Sequence, residues 1–212
     1  MSSGYTYVVS RDYGFAPNPF GKICTLATCK PIIRKWLNVG DYVFGISPVK
    51  QGNKLIYAMK VTEKMSFNNY WEDSRFQRKK PTMNGSKKTA YGDNIYRYVQ
   101  ETLSWFQADS HHSHVGGVIN EKNLNTDTGT TDQVLISEDF FYFGSEMIDI
   151  PYEFKDTIAK TINGYTLKQG QRALTEEECI PFWNFLIENY EYGRHGFPVK
   201  FTEEFERFAG NP

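Results

Sequence analysis

The sequence contains a small set of residues whose types and neighbours could carry nucleophilic or acid–base chemistry. Cys29 is followed by Lys30, and a neighbouring cation lowers the pKa of a thiol and so favours its nucleophilic form. Three of the four histidines lie in the run 111–114, and a histidine with an unperturbed pKa of about 6.5 exchanges protons at neutral pH. Asp12 or Asp73 would serve as a general base beside them. The candidate catalytic residues are Asp12, Cys29, His112 and His114.

The same cysteines and histidines also have structural interpretations. Cys24 and Cys29 are five positions apart with no second pair, which is a poor spacing for a structural zinc site. Free cysteines are more often small buried hydrophobic side chains. The run 111–114 could direct two rings at one metal ion, but no HExxH helix and no cysteine pair accompanies it. The alternative to a metal site is a polar loop that carries one hydrogen-bonded histidine. We therefore predict no metal site and no cofactor.

The composition limits the class of protein. The 212 residues carry a net charge of −1, so the chain lacks the overall basic charge of a strong non-specific DNA binder. Three cysteines leave an odd thiol, and the chain begins without a cationic and apolar leader, which indicates a reducing cytoplasmic location. No apolar run approaches the length that crosses a bilayer, so we expect no membrane partner. The length predicts one domain, or one domain with an appendage.

Alternating aromatic and β-branched residues predict strands, and turn residues place two of the strands in a hairpin. The strands are expected at 5–9, 42–46, 55–61 and 134–137, with 42–46 and 55–61 as the hairpin. Pro31 suits the first turn of a short helix. Thr175 and Glu178 form a capping box, which predicts the start of a C-terminal helix. The apolar side of that helix is expected to contain Ile180, Trp183, Leu186, Ile187 and Tyr190.

Two segments lack the periodicity of a helix or a strand. Residues 11–21 contain two prolines and two glycines, which predicts a rigid, irregular loop that displays Phe15, Asn18 and Phe20. In the alternative interpretation, the two phenylalanines close the end of a barrel. Residues 116–133 are rich in Asn, Thr and Gly and are predicted to form a mobile loop, either a lid over a site or an insertion.

An aromatic and charged segment follows the predicted hairpin. Residues 67–76 contain four aromatic rings together with two acids and a base, and 78–80 is a cationic cluster. Aromatic rings can stack on nucleobases, and cationic side chains can contact phosphates. The alternative for the cationic cluster is a solvated surface with no ligand.

Three motifs resemble the second of the nucleotide-modification-associated domain families. They are DYGFAPNPF at 12–20, TLATCKPIIR at 25–34 and ISEDFFYFG at 136–144. The resemblance covers residues 5–150, and its N-terminal motif is the most specific part. Members of this family occur in bacteria and their phages, where genomic context suggests a link to modified DNA bases.

The order of elements also resembles the PUA-like barrels of the ASCH and EVE type. A strand and a short helix precede VGD at 39–41, a hairpin follows, and an aromatic segment ends in DSRF at 73–76. This resemblance implies an α+β fold built on a small, strongly bent PUA-like β-barrel with flanking helices. We therefore expect a nucleotide- or base-binding domain at 1–150 and a C-terminal helical extension at 151–212 that packs on it.

The resemblance implies recognition of a nucleobase or nucleotide, with or without a modification, in a bacterial or phage DNA-modification or defence setting. PUA-like domains seat a base, often flipped out of a duplex, between rings and polar groups. Tyr70 or Trp71 would stack on the base, for about 1 to 3 kcal/mol, and Asn18 and Asp73 would bond its edge. Lysine and arginine side chains would contact phosphates. The predicted ligand-binding residues are Phe15, Asn18, Phe20, Thr25, Lys30, Arg34, Tyr70, Trp71, Asp73 and Arg75.

Two other functions remain open at this point. The first is an enzyme that acts on a nucleotide or DNA base by acid–base or cysteine chemistry, although the sequence lacks a Gly-rich phosphate loop, a dinucleotide fingerprint and a serine elbow. The second is a small-nucleotide sensor or sequestering protein. In each case the expected partner is a nucleotide or a nucleic acid. Binding to a duplex should weaken steeply with salt, whereas a mononucleotide pocket should respond mildly.

Overall fold

The fold belongs to the α+β class, as predicted from the sequence. A computed structural model describes residues 3–159 and 170–210. The strands are β1 (Gly4–Val8), β2 (Cys24–Leu26), β3 (Tyr42–Ile46), β4 (Leu55–Lys60), β5 (Glu63–Ser66), β6 (Tyr96–Val99), β7 (Ser104–Gln107), β8 (Gln133–Ser137), β9 (Asp139–Tyr142), β10 (Gln171–Leu174) and β11 (Gly193–Arg194). The α-helices are α1 (Pro31–Trp36), α2 (Phe67–Glu72), α3 (Lys87–Ala90), α4 (Glu121–Thr128), α5 (Tyr152–Ile158) and α6 (Glu176–Asn189).

The chain forms two compact units that alternate along the sequence. The first consists of Met1–Asp12, Leu37–Thr62 and Ser137–Lys200. The second consists of Tyr13–Trp36, Glu63–Ile136 and Phe201–Pro212. The predicted PUA-like barrel and the predicted boundary at residue 150 stay predictions, and residues 160–169 of the predicted extension lie outside the described residues.

A six-stranded sheet in the order β10-β1-β3-β4-β9-β11 forms the first unit. Strand β1 runs parallel to β3 and antiparallel to β10. The predicted hairpin is confirmed, because β3 and β4 pair antiparallel with Val43 opposite Met59. Parallel pairing of β1 with β3 requires a long crossover. Residues Tyr13–Trp36 of that crossover form the first part of the second unit.

Helix α6 packs on this sheet and supplies much of its core. The capping box of Thr175 and Glu178 is confirmed at its start. Of the predicted apolar side, Trp183 and Leu186 are buried, but Ile180 and Ile187 are exposed. The buried side runs instead through Cys179, Phe182, Trp183 and Leu186, a spacing of three and four residues that lies on one face of a helix.

A three-stranded sheet in the order β2-β8-β5 and the hairpin of β6 with β7 form the strands of the second unit. Strands β5 and β8 pair antiparallel. The core of this unit is aromatic and contains Phe15, Phe67, Tyr70, Phe76, Tyr91 and Tyr96. Each buried side chain of this size contributes on the order of 1.5 to 3 kcal/mol to folding.

The prediction of a loop at 116–133 was wrong, because the segment contains helix α4. The side chain of Asn120 accepts a hydrogen bond from the backbone N–H of Asn123 and so caps the N-terminus of the helix. Leu124 and Asp127 are buried on one side of α4. The polar composition hid the helix because asparagine and threonine have low helix propensity. No helix in the described ranges has both the length and the apolar composition to cross a membrane.

Candidate active site

Cys29 lies in the connection between β2 and α1, and hydrogen bonds hold its backbone in a restricted conformation. Cys29 and Lys30 have φ values of 57° and 42°, in the left-handed region that costs a non-glycine residue on the order of 1 to 3 kcal/mol. The backbone N–H of Cys29 donates to Oδ1 of Asp127 at 2.6 Å. Strained backbone that neighbouring groups hold in place is concentrated at functional sites.

His112 links the sulfur of Cys29 to the carboxylate of Asp127. Its Nε2 lies 3.8 Å from Sγ of Cys29, and its Nδ1 lies 2.8 Å from Oδ2 of Asp127. His112 and Asp127 are buried, whereas Cys29 is partly exposed. The three groups therefore form a series, Asp127 to His112 to Cys29, whose partly exposed member is Cys29.

The carboxylate of Asp127 is held by three donors. Oδ1 accepts from the backbone of Cys29, and Oδ2 accepts from His112 and from the hydroxyl of Tyr96 at 2.9 Å. Burial alone would raise the pKa of Asp127, but the opposite charges of His112 and Arg34 lower it below its usual value. Asp127 is therefore an ionised carboxylate in the interior of the second unit.

The ion pair with Asp127 controls the protonation of His112. Burial disfavours the charged imidazole, but the carboxylate of Asp127 and the sulfur of Cys29 outweigh it and raise the pKa of His112 to about 10. His112 is therefore protonated at neutral pH, and its Nε2–H faces the sulfur.

Arg34 fixes the backbone on which this series is built. It was predicted as a ligand-binding residue, but its side chain is fully buried. Its guanidinium donates to the carbonyl oxygens of Cys29 at 2.8 Å, of Asp127 at 2.6 Å and of Gln133 at 2.7 Å. A planar guanidinium satisfies several acceptors in a fixed geometry. Arg34 thus fixes the backbones of Cys29 and Asp127, two members of the series, relative to each other.

The loop that carries His112 is fixed in a similar way. The carbonyl oxygen of His112 accepts from the side-chain amides of Gln107 at 3.1 Å and Asn123 at 2.9 Å. The ring of Phe15 lies against the imidazole, with centroids 4.7 Å apart.

Of the predicted ligand-binding residues, Phe15 and Lys30 lie beside the series. Burial lowers the pKa of Lys30, and Cys29 opposes that shift.

The ligand atoms of Cys29, His112 and Asp127 lie within 4.8 Å of one another, so these residues could hold a metal ion. The geometry of the imidazole argues for a different use. One ring nitrogen faces the carboxylate and the other faces the sulfur, whereas a single ion bonds only one nitrogen of a histidine. The series instead has the order of an orienting acid, a proton carrier and a nucleophile.

A second group of predicted ligand-binding residues forms a buried network. The hydroxyls of Thr25 and Tyr70 donate to the carboxylate of Asp93 at 2.6 and 2.8 Å. Burial raises the pKa of Asp93 to about 6, and the nearby Lys79 cation opposes that shift. The ammonium group of Lys79 in turn donates to Oδ1 of Asn18 at 2.8 Å. In this structure Thr25, Tyr70 and Asn18 therefore bond other protein groups.

The remaining ligand candidates of the aromatic and charged segment lie at the surface. Asp73 caps the 3-10 helix Ser74–Lys79 and forms an ion pair with Arg75 at 2.6 Å, and Arg75 also pairs with Glu63 at 2.8 Å. The ring of Trp71 is partly exposed, and Nζ of Lys80 lies 3.9 Å from its centroid. The predicted contacts of these residues with a base stay predictions.

Two of the four candidate catalytic residues have surroundings unlike those of Cys29 and His112. Asp12 is a buried residue of the first unit, and its Oδ1 accepts from the hydroxyl of Tyr142 at 2.6 Å. His114 is exposed.

The sequence reasoning missed Asp127, the residue that orients His112, because it assigned α4 to a mobile loop. The one available signal was Asn120, a favourable cap for a helix that would place Asp127 on a regular element.

The fold and the series of side chains define an α+β protein in which a carboxylate orients a buried histidine beside a partly exposed cysteine. The chain belongs to the family described as nucleotide modification associated domain 2, whose model matches residues 1–205. This confirms the family resemblance of the three motifs. No curated protein and no solved structure matches the chain.

Proposed function

We propose that the protein is a cysteine-dependent enzyme of nucleotide modification, with Cys29 as its nucleophile. The observation that carries the proposal is the series from Asp127 through His112 to the sulfur of the partly exposed Cys29. A nucleophile, a base within reach and a third group that orients the base are the parts of an activated nucleophile. Membership of a nucleotide-modification family supports a nucleotide, free or within a nucleic acid, as the substrate class.

The reaction class that suits these groups is hydrolysis or transfer at an acyl or amidine-type carbon. The sulfur of Cys29 attacks that carbon and forms an S–C bond while the bond to the leaving atom breaks. His112 gives its Nε2 proton to the leaving atom. A water molecule, or an amine in a transfer reaction, then attacks the same carbon, and the neutral imidazole takes its proton. The S–C bond breaks, which restores the thiolate and the protonated His112.

Asp127 acts through His112 and is a positioning residue in this mechanism. Its hydrogen bond from Nδ1 leaves Nε2 facing the sulfur. Its negative charge also stabilises the protonated ring, in the way that a buried aspartate orients the histidine of a serine protease. Arg34 supports both partners through their carbonyl oxygens.

Alkylation of the thiols tests the nucleophile. At pH 7, iodoacetamide should label Cys29 at least tenfold faster than Cys24 and Cys179, which are buried and serve as internal controls. His112→Ala should lower the labelling rate of Cys29 at least tenfold, and His112→Gln should do the same if the alanine variant is unstable. His114→Ala is the matched control, since His114 is exposed, and it should change the rate less than twofold. Equal labelling rates in the His112 and His114 variants would contradict the proposal.

Mass spectrometry tests the chemistry. The wild-type protein is incubated with a pool of canonical and modified nucleotides and short oligonucleotides. The expected result is a mass change in one component, with a transient adduct on the peptide that contains Cys29. Cys29→Ala should abolish both signals and retain the fold, as judged by circular dichroism. Turnover that persists in Cys29→Ala would rule out cysteine as the nucleophile.

Base recognition without catalysis is a second candidate, and the surroundings of Trp71 favour it. Its partly exposed ring lies close to two cations, with Lys80 at 3.9 Å and Arg97 at 5.6 Å from the ring centroid. An aromatic ring beside cationic side chains suits single-stranded nucleic acid, because the ring stacks on a base and the cations contact phosphates. Trp71→Ala should then weaken oligonucleotide binding at least tenfold and leave labelling of Cys29 unchanged. Unaltered affinity would remove this candidate.

A further inference from the structure

A pocket of about 320 Å³ lies in the second unit, away from the residues of the cysteine series. We refer to it as the basic pocket. The residues that line it are Asn18, Phe20, Gly21, Ile23, Ser74, Arg75, Arg78, Lys79 and Lys88. Its volume falls at the lower end of the range of roughly 300 to 1,000 Å³ that holds small organic ligands.

The lining of the basic pocket contains four cationic side chains and no acidic one. Two of the cations already have partners. Arg75 pairs with Asp73 and Glu63. The ammonium group of Lys79 is buried and donates to two oxygens of Asn18 and to the carbonyl of Ile23. Lys79 thus contributes charge to the pocket wall, and its donors are already used.

Arg78 and Lys88 supply the charge that is not balanced within the described residues. Both side chains are exposed, and neither forms an ion pair with a described residue. Lys88 extends over the ring of Phe20, with Nζ 5.4 Å from the ring centroid. The ring of Phe20 is itself 7% exposed, so the pocket combines two available cations with an apolar wall.

The backbone of the pocket also leaves room for a ligand. Gly21 has a φ of 83°, and a Cβ built at this position would meet no other atom within 4 Å. The hydroxyl-bearing Ser74, the first residue of the 3-10 helix Ser74–Lys79, also lines the pocket. Asn18, by contrast, is fixed, because its amide donates to the carbonyl of Tyr91 and its oxygen accepts from Lys79.

We propose that the basic pocket binds a phosphate ester, with Arg78 and Lys88 contacting the phosphate oxygens and Phe20 contacting the attached organic group. Arginine presents a planar fork that matches phosphate geometry, and lysine acts as a compact point charge. The phosphate can belong to a free nucleotide or to the backbone of a nucleic-acid strand. The lining of the pocket includes none of Cys29, His112 and Asp127. A negative result for phosphate binding would therefore leave the proposed cysteine chemistry untouched.

Isothermal titration with thymidine, thymidine monophosphate and a single-stranded dT10 oligonucleotide tests this site. The monophosphate or the oligonucleotide should bind at least tenfold more tightly than thymidine, which lacks the phosphate. An Arg78→Gln/Lys88→Gln variant should lose at least tenfold in that affinity. The matched control is Lys50→Gln/Lys155→Gln, which removes two exposed cations of the first unit and should bind like the wild type.

Salt dependence then identifies the source of the phosphate. A steep fall of oligonucleotide affinity with salt, together with weak monophosphate binding, indicates a strand, and a shallow response with tight monophosphate binding indicates a free nucleotide. The proposal is overturned if neither phosphate ligand binds better than thymidine, or if the pocket variant and the control variant bind equally. Labelling of Cys29 by iodoacetamide should match the wild type in both variants, which verifies that the second unit is folded.

Discussion

Two buried aspartates, one in each compact unit, accept hydrogen bonds from similar donors, yet we propose a chemical role for only one of them. In the first unit, Asp12 accepts from the hydroxyl of Tyr142 at 2.6 Å and from the backbone N–H of Val199 at 3.1 Å. In the second unit, Asp127 likewise accepts from a tyrosine hydroxyl and from a backbone N–H. Both carboxylates are buried. Asp127 in addition accepts a hydrogen bond from an imidazole.

In the proposed mechanism, that additional partner makes the buried acid part of a reactive series. Tyrosine and backbone donors stabilise a carboxylate but carry no proton to another group at neutral pH. His112 bonds Asp127 through one nitrogen and lies 3.8 Å from the sulfur of Cys29 through the other. Burial and hydrogen bonding are common to both aspartates, so the contact with the imidazole is the feature on which the proposed role of Asp127 depends.

Removing each carboxylate in turn should produce the largest contrast. Asp127→Asn should lower the labelling rate of Cys29 at least tenfold, because the ring loses its orientation and its counter-charge. It should also lower the free energy of unfolding by about 3 to 5 kcal/mol, the cost of breaking a buried ion pair. Asp12→Asn should leave the labelling rate within twofold and destabilise the fold by about 1 to 3 kcal/mol. Equal labelling rates in the two variants would remove the distinction.

The raised pKa of His112 predicts a pH dependence of stability that should persist when Asp12 is replaced. The imidazole has a pKa of about 10 in the folded protein and about 6.5 when unfolded. Between these values the folded state binds more protons than the unfolded state, so stability should fall as pH rises through this window. Urea unfolding at pH 7 and pH 9.5 should show a larger loss for the wild type than for His112→Gln. Asp12→Asn should follow the wild type, and parallel losses in all three would argue against the ion pair.

The smallest expected effect distinguishes the two tyrosines. Tyr96→Phe and Tyr142→Phe each remove one hydrogen bond to a buried carboxylate, and each should cost about 1 to 3 kcal/mol of stability. The labelling rate of Cys29 should fall about twofold to fivefold in Tyr96→Phe alone, because that hydroxyl bonds the same oxygen as His112. A change of equal size in Tyr142→Phe would show that the labelling rate merely reports global stability.

Local patterns in the sequence predicted the parts of this protein that depend on near neighbours. The hairpin of β3 and β4 and the capping box of α6 are confirmed, since turn residues and caps act within a few positions. The adjacency of Cys29 and Lys30 drew attention to the cysteine that the structure places beside His112. The three sequence motifs also predicted the family, and the match of the family model confirms it.

Predictions that depended on distant contacts were incomplete or wrong. Arg34 was assigned to phosphate but bonds three carbonyl oxygens, two of them more than 90 positions away. Helix α4 was read as a mobile loop, so Asp127 was not considered as a partner of His112. Asparagine- and threonine-rich segments carry weak local preferences, and tertiary packing decides their structure.

The sequence by itself determined which residues were available: a cysteine beside a cation, a cluster of histidines, and aromatic and basic segments typical of nucleotide chemistry. The tertiary structure decided which of them lie in contact. The hydrogen bond from Cys29 to Asp127 joins residues 98 positions apart, and the contact of Cys29 with His112 joins residues 83 positions apart. Contacts of this kind form when the burial of apolar side chains compensates the entropy of closing long loops. No local pattern encodes them, so the proposed reactive series depends on the folded second unit.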